Sequence, residues 1–327
     1  MKNKIGILLT NIGTPDAPTP VAVRQYLKQF LSDPRVIELS PLLWKPLLYS
    51  VILPFRPKRS AELYKKIWTA EGSPLLTNTL ELAIELENAL RKQLAAEIFV
   101  NVGMRYGNPS IHSALCELNA KMVERIFVLP LFPQYSATTT ASAFDAVAQV
   151  FKTWRKIPEI RMLNDYATDP SYIEAVAKSI REFWLVHEKK YLLFSFHGIP
   201  QRYIDAGDPY ASQCEDTAKA IAENLMLTTE QWSLAYQSRL GPTQWLQPYT
   251  DKVLKALPKR NITEIQVVSP GFPIDCLETL EEINIRGKEH FLAAGGKSFA
   301  YIPALNSSAH HVEALMEIIK PQIQSWI

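Results

Sequence analysis

The chain has 327 residues, 47% of them apolar and 21% charged, with 35 basic side chains against 33 acidic ones. That length suits two ordinary domains and that apolar content a well-cored protein, which argues against disorder, while a net charge of +2 argues against binding nucleic acid through its phosphates. Cys116, Cys214 and Cys276 stand far apart with no C-x-x-C pair, which argues against a disulfide framework, a thiolate zinc site or an iron–sulfur cluster and points to a reducing compartment.

In chain order, Met1–Thr10 carries an apolar run of only about five residues, too short for a signal-peptide core, and reads as a first strand. No apolar run reaches the roughly 18 residues needed to span a bilayer. Val21–Leu31 has apolar residues at three- and four-residue spacing and predicts a helix. Ser40–Arg59 follows, large and apolar with a basic end, and its prolines at 41, 46, 54 and 57 predict that no long helix forms there. One reading of this segment is a buried loop and helix. The other is an apolar lip resting on a membrane surface, with Trp44, Tyr49 and the basic residues at headgroup level.

The same helical spacing recurs in Thr77–Leu94, Asn108–Met122 and Ala141–Phe151, and again in Tyr172–His187, Cys214–Leu227, Pro242–Leu257 and Asp275–Leu292. Apolar strands ending in Gly/Pro turns separate them, and these fall into three echoing pairs. Ile7–Pro15 resembles Leu192–Pro200, Phe99–Pro109 resembles Leu234–Pro242, and Ile126–Pro133 resembles Ile265–Pro273. Alternating strands and helices, repeated twice, predict an α/β fold: two similar Rossmann-like domains, each a parallel sheet flanked by helices, with a cleft between them. The expected division is 1–160, with the lip at about 40–59, then 161–302, then a final helix in 303–327 that packs back on the first domain.

Where the two halves diverge, chemistry is expected. Leu193–Pro200 reads as a buried strand ending in a turn that carries His197, the place where open α/β sheets put ligands, and Ile12 stands there in the first half. Glu278 follows Pro270-Gly-Phe-Pro where the first half has Thr138. Four-residue spacing puts Glu278, Glu282, Arg286 and His290 on one helix face, with Asp275 one turn earlier. A solvated, dipole-matched helix start explains such a stripe; a histidine facing carboxylates makes it an acid/base pair or a site for Fe(II). Neither G-x-G-x-x-G, nor G-x-x-x-x-G-K-[ST], nor G-x-S-x-G occurs, so dinucleotide, nucleotide-phosphate and α/β-hydrolase readings lack their loops.

Several segments together resemble the ferrochelatase family: Leu9–Pro15, Gly72–Leu75, Arg105-Tyr106, Phe132–Thr139, Phe194–Gly198, Gly207–Tyr210, Tyr236–Pro242 with Trp245, and Asp275–Leu280. The resemblance covers nearly the whole chain. It implies insertion of Fe(II) into protoporphyrin IX to give protohaem with release of two protons, the last step of haem biosynthesis. It places the family's central histidine at His197, the metal-site glutamate at Glu278 and the second carboxylate of the acidic path at Glu282; His197 and Glu278 are the implied metal contacts. Ile12, Arg56, Ser73, Arg105, Tyr106, Ser136, Tyr210 and Trp245 fall on positions that line or border the porphyrin pocket. His197 is expected to take a pyrrole proton and Glu278 to hold or hand on the metal, with the reverse assignment open.

The chain departs from the family's pattern in three ways: Cys276 replaces the histidine of animal relatives, Ile12 replaces a larger Met or Tyr, and Ile327 ends the chain without a Cys-rich tail. From these follow a Cys276 inessential to the chemistry, and no iron–sulfur cluster or other permanently bound cofactor. Expected partners are protoporphyrin IX and Fe(II), with peripheral contact to a membrane surface or to the preceding haem-pathway oxidase, and no nucleic acid. The expected location is cytoplasmic, peripheral on the inner face of the cytoplasmic membrane. The competing readings are a chelatase for coproporphyrin, or for sirohydrochlorin with cobalt, and a non-catalytic porphyrin or haem carrier.

Overall fold

The strands are β1 (Lys4–Thr14), β2 (Glu97–Gly107), β3 (Arg125–Pro130) and β4 (Glu159–Met162), then β5 (Tyr191–His197), β6 (Trp232–Gln237), β7 (Glu264–Val268) and β8 (Ser298–Tyr301), with the apolar runs of the sequence at the central ones. The computed structural model describes residues 3–239, 241 and 243–327. Every pairing between these strands is parallel, in two separate sheets ordered β2-β1-β3-β4 and β6-β5-β7-β8. Each sheet thus runs second, first, third, fourth in its own chain order, so the sequence repeat is a repeat of topology. The chain has the expected α/β class, with two parallel sheets and their helices.

The first unit comprises Met1–Phe132, Ser136–Asp165 and Leu315–Ile327, and the second Pro133–Tyr135 and Tyr166–Ala314. The main passage between them follows Asp165 and not residue 160, and three residues of the Phe132–Thr139 segment cluster with the second unit. In the first unit β1 is central. Ile5–Thr10 pair with both β2 and β3, which leaves Ile5, Ile7, Leu8 and Leu9 with no exposed surface. Leu8, Val128, Leu115, Leu118, Val147 and Phe151 belong to one core cluster there. In the second unit β5 holds the matching place, and Leu193, Val267, Ile283 and Phe291 share a core.

Helix starts follow ordinary capping chemistry. Thr19 accepts from Ala22 N–H before Pro20–Leu31, Ser110 from Ser113 N–H before Ile111–Ala120, and Asp169 from Ser171 N–H before Pro170–Val186. Trp326 closes the first unit. Its carbonyl accepts from Asn3 and Arg125, its indole N–H donates to Glu159, and the Arg161 guanidinium lies 4.4 Å from its ring centre.

Three expected elements differ from what forms. The proline-rich segment is helical from Pro41 to Ile67, as α-helix 41–47, π-helix Leu48–Ile52 and α-helix 53–67. Pro41 and Pro54 take first-turn positions, where a missing N–H costs little, and one wide turn carries the chain between the two helices. The expected helix over 242–257 forms only as Thr250–Ala256, Pro242 itself lying outside the described residues. Across 275–292 the chain is π-helical from Glu278 to Gly287 and α-helical only from Lys288 to Ala293. A π-helix bonds five residues back, so neighbours on its surface lie five apart as well as four. Arg286 accordingly pairs with the buried Glu281, five residues earlier, at 2.9 Å. The first unit has a matching feature, since Ala137–Ala141, which includes Thr138, is also a π-turn.

Candidate active site

β5 ends at His197 and β6 at Gln237, and the two residues are register partners. Gly198 N–H donates to the Gln237 carbonyl at 2.8 Å, and a Cβ on Gly198 would stand 2.9 Å from that oxygen. Glycine is therefore what lets the chain turn tightly after the histidine. His197 is half-buried, with Nδ1 2.6 Å from the Gly198 carbonyl oxygen and its ring centre 6.2 Å from that of Phe272. A carbonyl can only accept, so Nδ1 carries the proton and Nε2 presents the free lone pair. That nitrogen is the one able to take a proton or bind a metal.

Gln237 joins this strand end to the π-helix. Its Oε1 accepts from Ser195 Oγ at 2.7 Å and its Nε2 donates to the Glu278 carbonyl at 2.9 Å. His197 and Glu278 thus sit on elements tied to one buried glutamine. Ser238, in the left-handed region with φ 67°, holds Glu282 through two bonds: its N–H to Oε1 at 2.9 Å and its hydroxyl to Oε2 at 2.5 Å. A non-glycine residue in that conformation marks a constrained functional turn, and here the constraint aims both donors at one carboxylate. The buried Cys276 thiol neighbours the Glu278 side chain; burial, first, and the Glu278 charge keep it well above the usual thiol range, so it stays protonated. On the expectation that Glu278 handles Fe(II), Cys276→Ser should leave insertion close to the parent rate, because a hydroxyl of similar size takes the thiol's place beside Glu278, whereas Cys276→Ala should cost about tenfold in kcat/KM for the metal. Among the described residues, no group of three or more His, Cys, Asp or Glu side chains is placed to hold a metal ion.

Also in the second unit, Tyr210 is buried and bonds to Cys214, and Trp245 packs on the Gly198 turn with its indole N–H buried and unpartnered. Gln237, Ser238 and Ser195 carry no chemical signature in the sequence; the signal available is their place at strand ends, Ser195 within the Phe194–Gly198 segment and Gln237 and Ser238 within Tyr236–Pro242.

In the first unit, Arg105 and Tyr106, near the end of β2, enter a buried network around Asp33. Asp33 accepts from Arg105 Nη2, Tyr106 OH and Ser142 Oγ, and its second oxygen accepts from Arg35 N–H. Burial raises the Asp33 carboxyl, but the bonds from Ser142, Tyr106 and Arg35 and the Arg105 charge outweigh it and hold the group below the usual carboxylate range. Tyr106 is 1% exposed, and burial drives its hydroxyl far above the usual range. Its carbonyl also requires Gly13, where φ is 100° and an added Cβ would overlap the Tyr106 oxygen. Ile12 is half-buried, Ser73 is buried with its hydroxyl 2.9 Å from that of Thr14, Ser136 caps the 137–141 π-turn, and Arg56 is half-buried on the 53–67 helix. The apolar segment exposes Leu42 (86%), Leu43 (76%) and Phe55 (73%). Trp44 is half-buried, its indole N–H donating to the Leu31 carbonyl at 2.6 Å, which fits the buried reading of that residue. No helix among the described residues is long and apolar enough to cross a membrane.

A solved structure, SirB from Bacillus subtilis with Fe3+, superposes with a TM-score of 0.57 at 12% identity over 98% of this chain and 97% of that one. The fold is therefore the one seen in chelatases. The ferrochelatase family profile matches residues 4–323. The ferrochelatase of Methylococcus capsulatus is 52% identical over 98% of this chain and 97% of its own length. The coproporphyrin III ferrochelatase of Streptococcus mutans is 49% identical over 98% and 99%. This chain belongs to the ferrochelatase family. It is thereby an enzyme that inserts iron into a porphyrin in haem biosynthesis, and the carrier reading falls away.

Proposed function

We propose that the porphyrin is protoporphyrin IX, that the product is protohaem, and that His197 and Glu278 carry out the exchange. The observation that carries this is His197 with its free Nε2 at the end of β5, tied through Gln237 to the turn that bears Glu278. Insertion needs three events: loss of water from Fe(II), exposure of the pyrrole lone pairs, and removal of two N–H protons. A flat ring keeps its lone pairs in its own plane, so a site that binds a bent ring better than a flat one lowers the barrier. His197 Nε2 accepts a pyrrole proton, Glu278 hands Fe(II) toward the ring, and Glu282, released from Ser238, relays protons or metal. Iron is a substrate in this reading and no resident cofactor takes part.

Arg105, Tyr106, Ser136, Ile12, Arg56, Ser73, Tyr210 and Trp245 are the proposed porphyrin contacts, carried over from the family pattern. The exposed Leu42, Leu43 and Phe55 favour a ring with few carboxylates and, with exposed Lys45, Lys58 and Arg59, suit peripheral contact with an anionic membrane surface facing the cytoplasm. Coproporphyrin is the second reading, favoured by the Streptococcus relative. Anaerobic insertion of Fe(II) into each ring decides between them. The expected result is a kcat/KM at least tenfold higher for protoporphyrin IX; the opposite ratio would make this a coproporphyrin enzyme.

A further inference from the structure

Asp275 is buried three residues before Glu278, and among the described residues no cation stands with the partners of its carboxylate. Oδ1 accepts from Tyr301 OH and Thr279 Oγ1, each at 2.7 Å, and Oδ2 from Asn306 Nδ2 at 2.8 Å. Asn306 also accepts the Asp275 N–H at 2.9 Å, so one amide grips both the main chain and the carboxylate of the same residue. The Thr279 hydroxyl in turn receives Cys276 N–H at 3.0 Å, which ties the turn just before Glu278 to the same cluster. A buried carboxylate is tolerated only when its oxygens are satisfied, so this set of donors fixes where the π-helix begins.

The Asn306 amide is itself aimed. Its main chain is in the left-handed region (φ 49°), its N–H donates to the Pro273 carbonyl at 2.8 Å, and its own carbonyl accepts from Nδ1 of His311 at 2.5 Å. His311 is fully buried, and burial holds it neutral with its pKa down to about 4. A neutral imidazole with its proton on Nδ1 is the donor this carbonyl needs.

We propose that Asn306 is a positioning residue for iron insertion: locked in place by His311, it grips Asp275 and so sets the orientation of Glu278. This rests on the reading of Glu278 as the metal-handling carboxylate. Residues that orient a metal-handling group without touching the metal typically matter by about 10- to 100-fold. Asn306→Ala is thus expected to lower kcat/KM for Fe(II) by about tenfold or more through a raised KM for Fe(II), with KM for the porphyrin unchanged. His311→Phe, which keeps a ring and removes the donor, should shift the same constant in the same direction by less, and it decides the matter if the alanine variant does not fold. Melting curves establish the folded fraction of each variant. Folded variants with parental Fe(II) kinetics would overturn the proposal. So would a loss shared equally by both substrates, which is the mark of a purely structural role. Glu278→Gln separates this inference from the one beneath it: parental insertion by that variant removes the site reading itself, whereas its failure beside a normal Asn306→Ala enzyme removes only the role of Asn306.

Discussion

Replacing His197 by alanine is expected to lower iron insertion by about 10²–10⁴-fold or more while the protein remains folded and still binds porphyrin. The argument for loss is geometric. The side chain makes one hydrogen bond, from Nδ1 to the adjoining Gly198 carbonyl, and this commits Nε2 to be the basic nitrogen. Among the described residues at the end of β5 there is no second group of that kind, because Ser195 and Gln237 are already bonded to each other and Gly198 has no side chain. The argument for retained folding is equally local. The half-buried ring contributes a bond to its immediate chain neighbour and a loose ring contact with Phe272, so its removal should cost no more than about 1 kcal/mol. The check is anaerobic turnover alongside a melting curve and a porphyrin titration. An alanine variant that still turns over near the parent rate would remove His197 from the chemistry, whether as base or as ligand.

How far such a site can be read in advance depends on the kind of interaction that builds it. Strands buried on both faces must be apolar throughout, so Ile5–Leu9 and Leu192–Phe196 announce themselves, and the repeated Gly/Pro turns after them disclose two sheets of one topology. His197 is legible for the same reason, as the polar residue that ends such a run. The π-helix over 278–287 is not, because an apolar spacing of three and four already satisfies an α-helix, and the wider turn shows itself only in the folded chain, where Glu281 pairs with Arg286 five residues on. Four prolines between 41 and 57 read as helix breakers, since sequence does not reveal that two of them fall in first turns and that a wide turn joins the helices. Gln237, Ser238 and Asn306 belong to a third kind. Their amides and hydroxyls are ordinary surface chemistry until the fold sets Gln237 against the Glu278 carbonyl, Ser238 against the Glu282 carboxylate and Asn306 against that of Asp275, and no local pattern encodes that.

Asp33 shows the same principle at the largest expected cost in stability. In sequence it sits in Leu-Ser-Asp-Pro, a helix stop with nothing to mark it. In the fold its carboxylate accepts from Arg105, Tyr106, Ser142 and the Arg35 N–H while almost wholly buried, and the Arg105 guanidinium lies 4.7 Å from the Tyr106 ring centre. Asp33→Ala leaves a charged guanidinium, two hydroxyls and an N–H without their acceptor, and breaking a buried ion pair from one side costs about 3–5 kcal/mol. Asp33→Asn keeps an acceptor oxygen and should cost less. The pH dependence has a definite sign. Because the folded carboxyl titrates below its unfolded value, its contribution is complete above the unfolded pKa of about 4 and is lost as pH falls through the lower folded value. Denaturant melts of parent and variant should therefore differ fully at neutral pH and converge in strong acid. A gap that stayed constant with pH would show that the alanine acts through packing and not through the charge. Arg105 and Tyr106 are also proposed porphyrin contacts, so a folded Asp33→Asn enzyme should show a raised KM for porphyrin while its KM for Fe(II) holds. That is the reverse of the split expected for Asn306→Ala, and it follows from the different groups that the two residues hold in place.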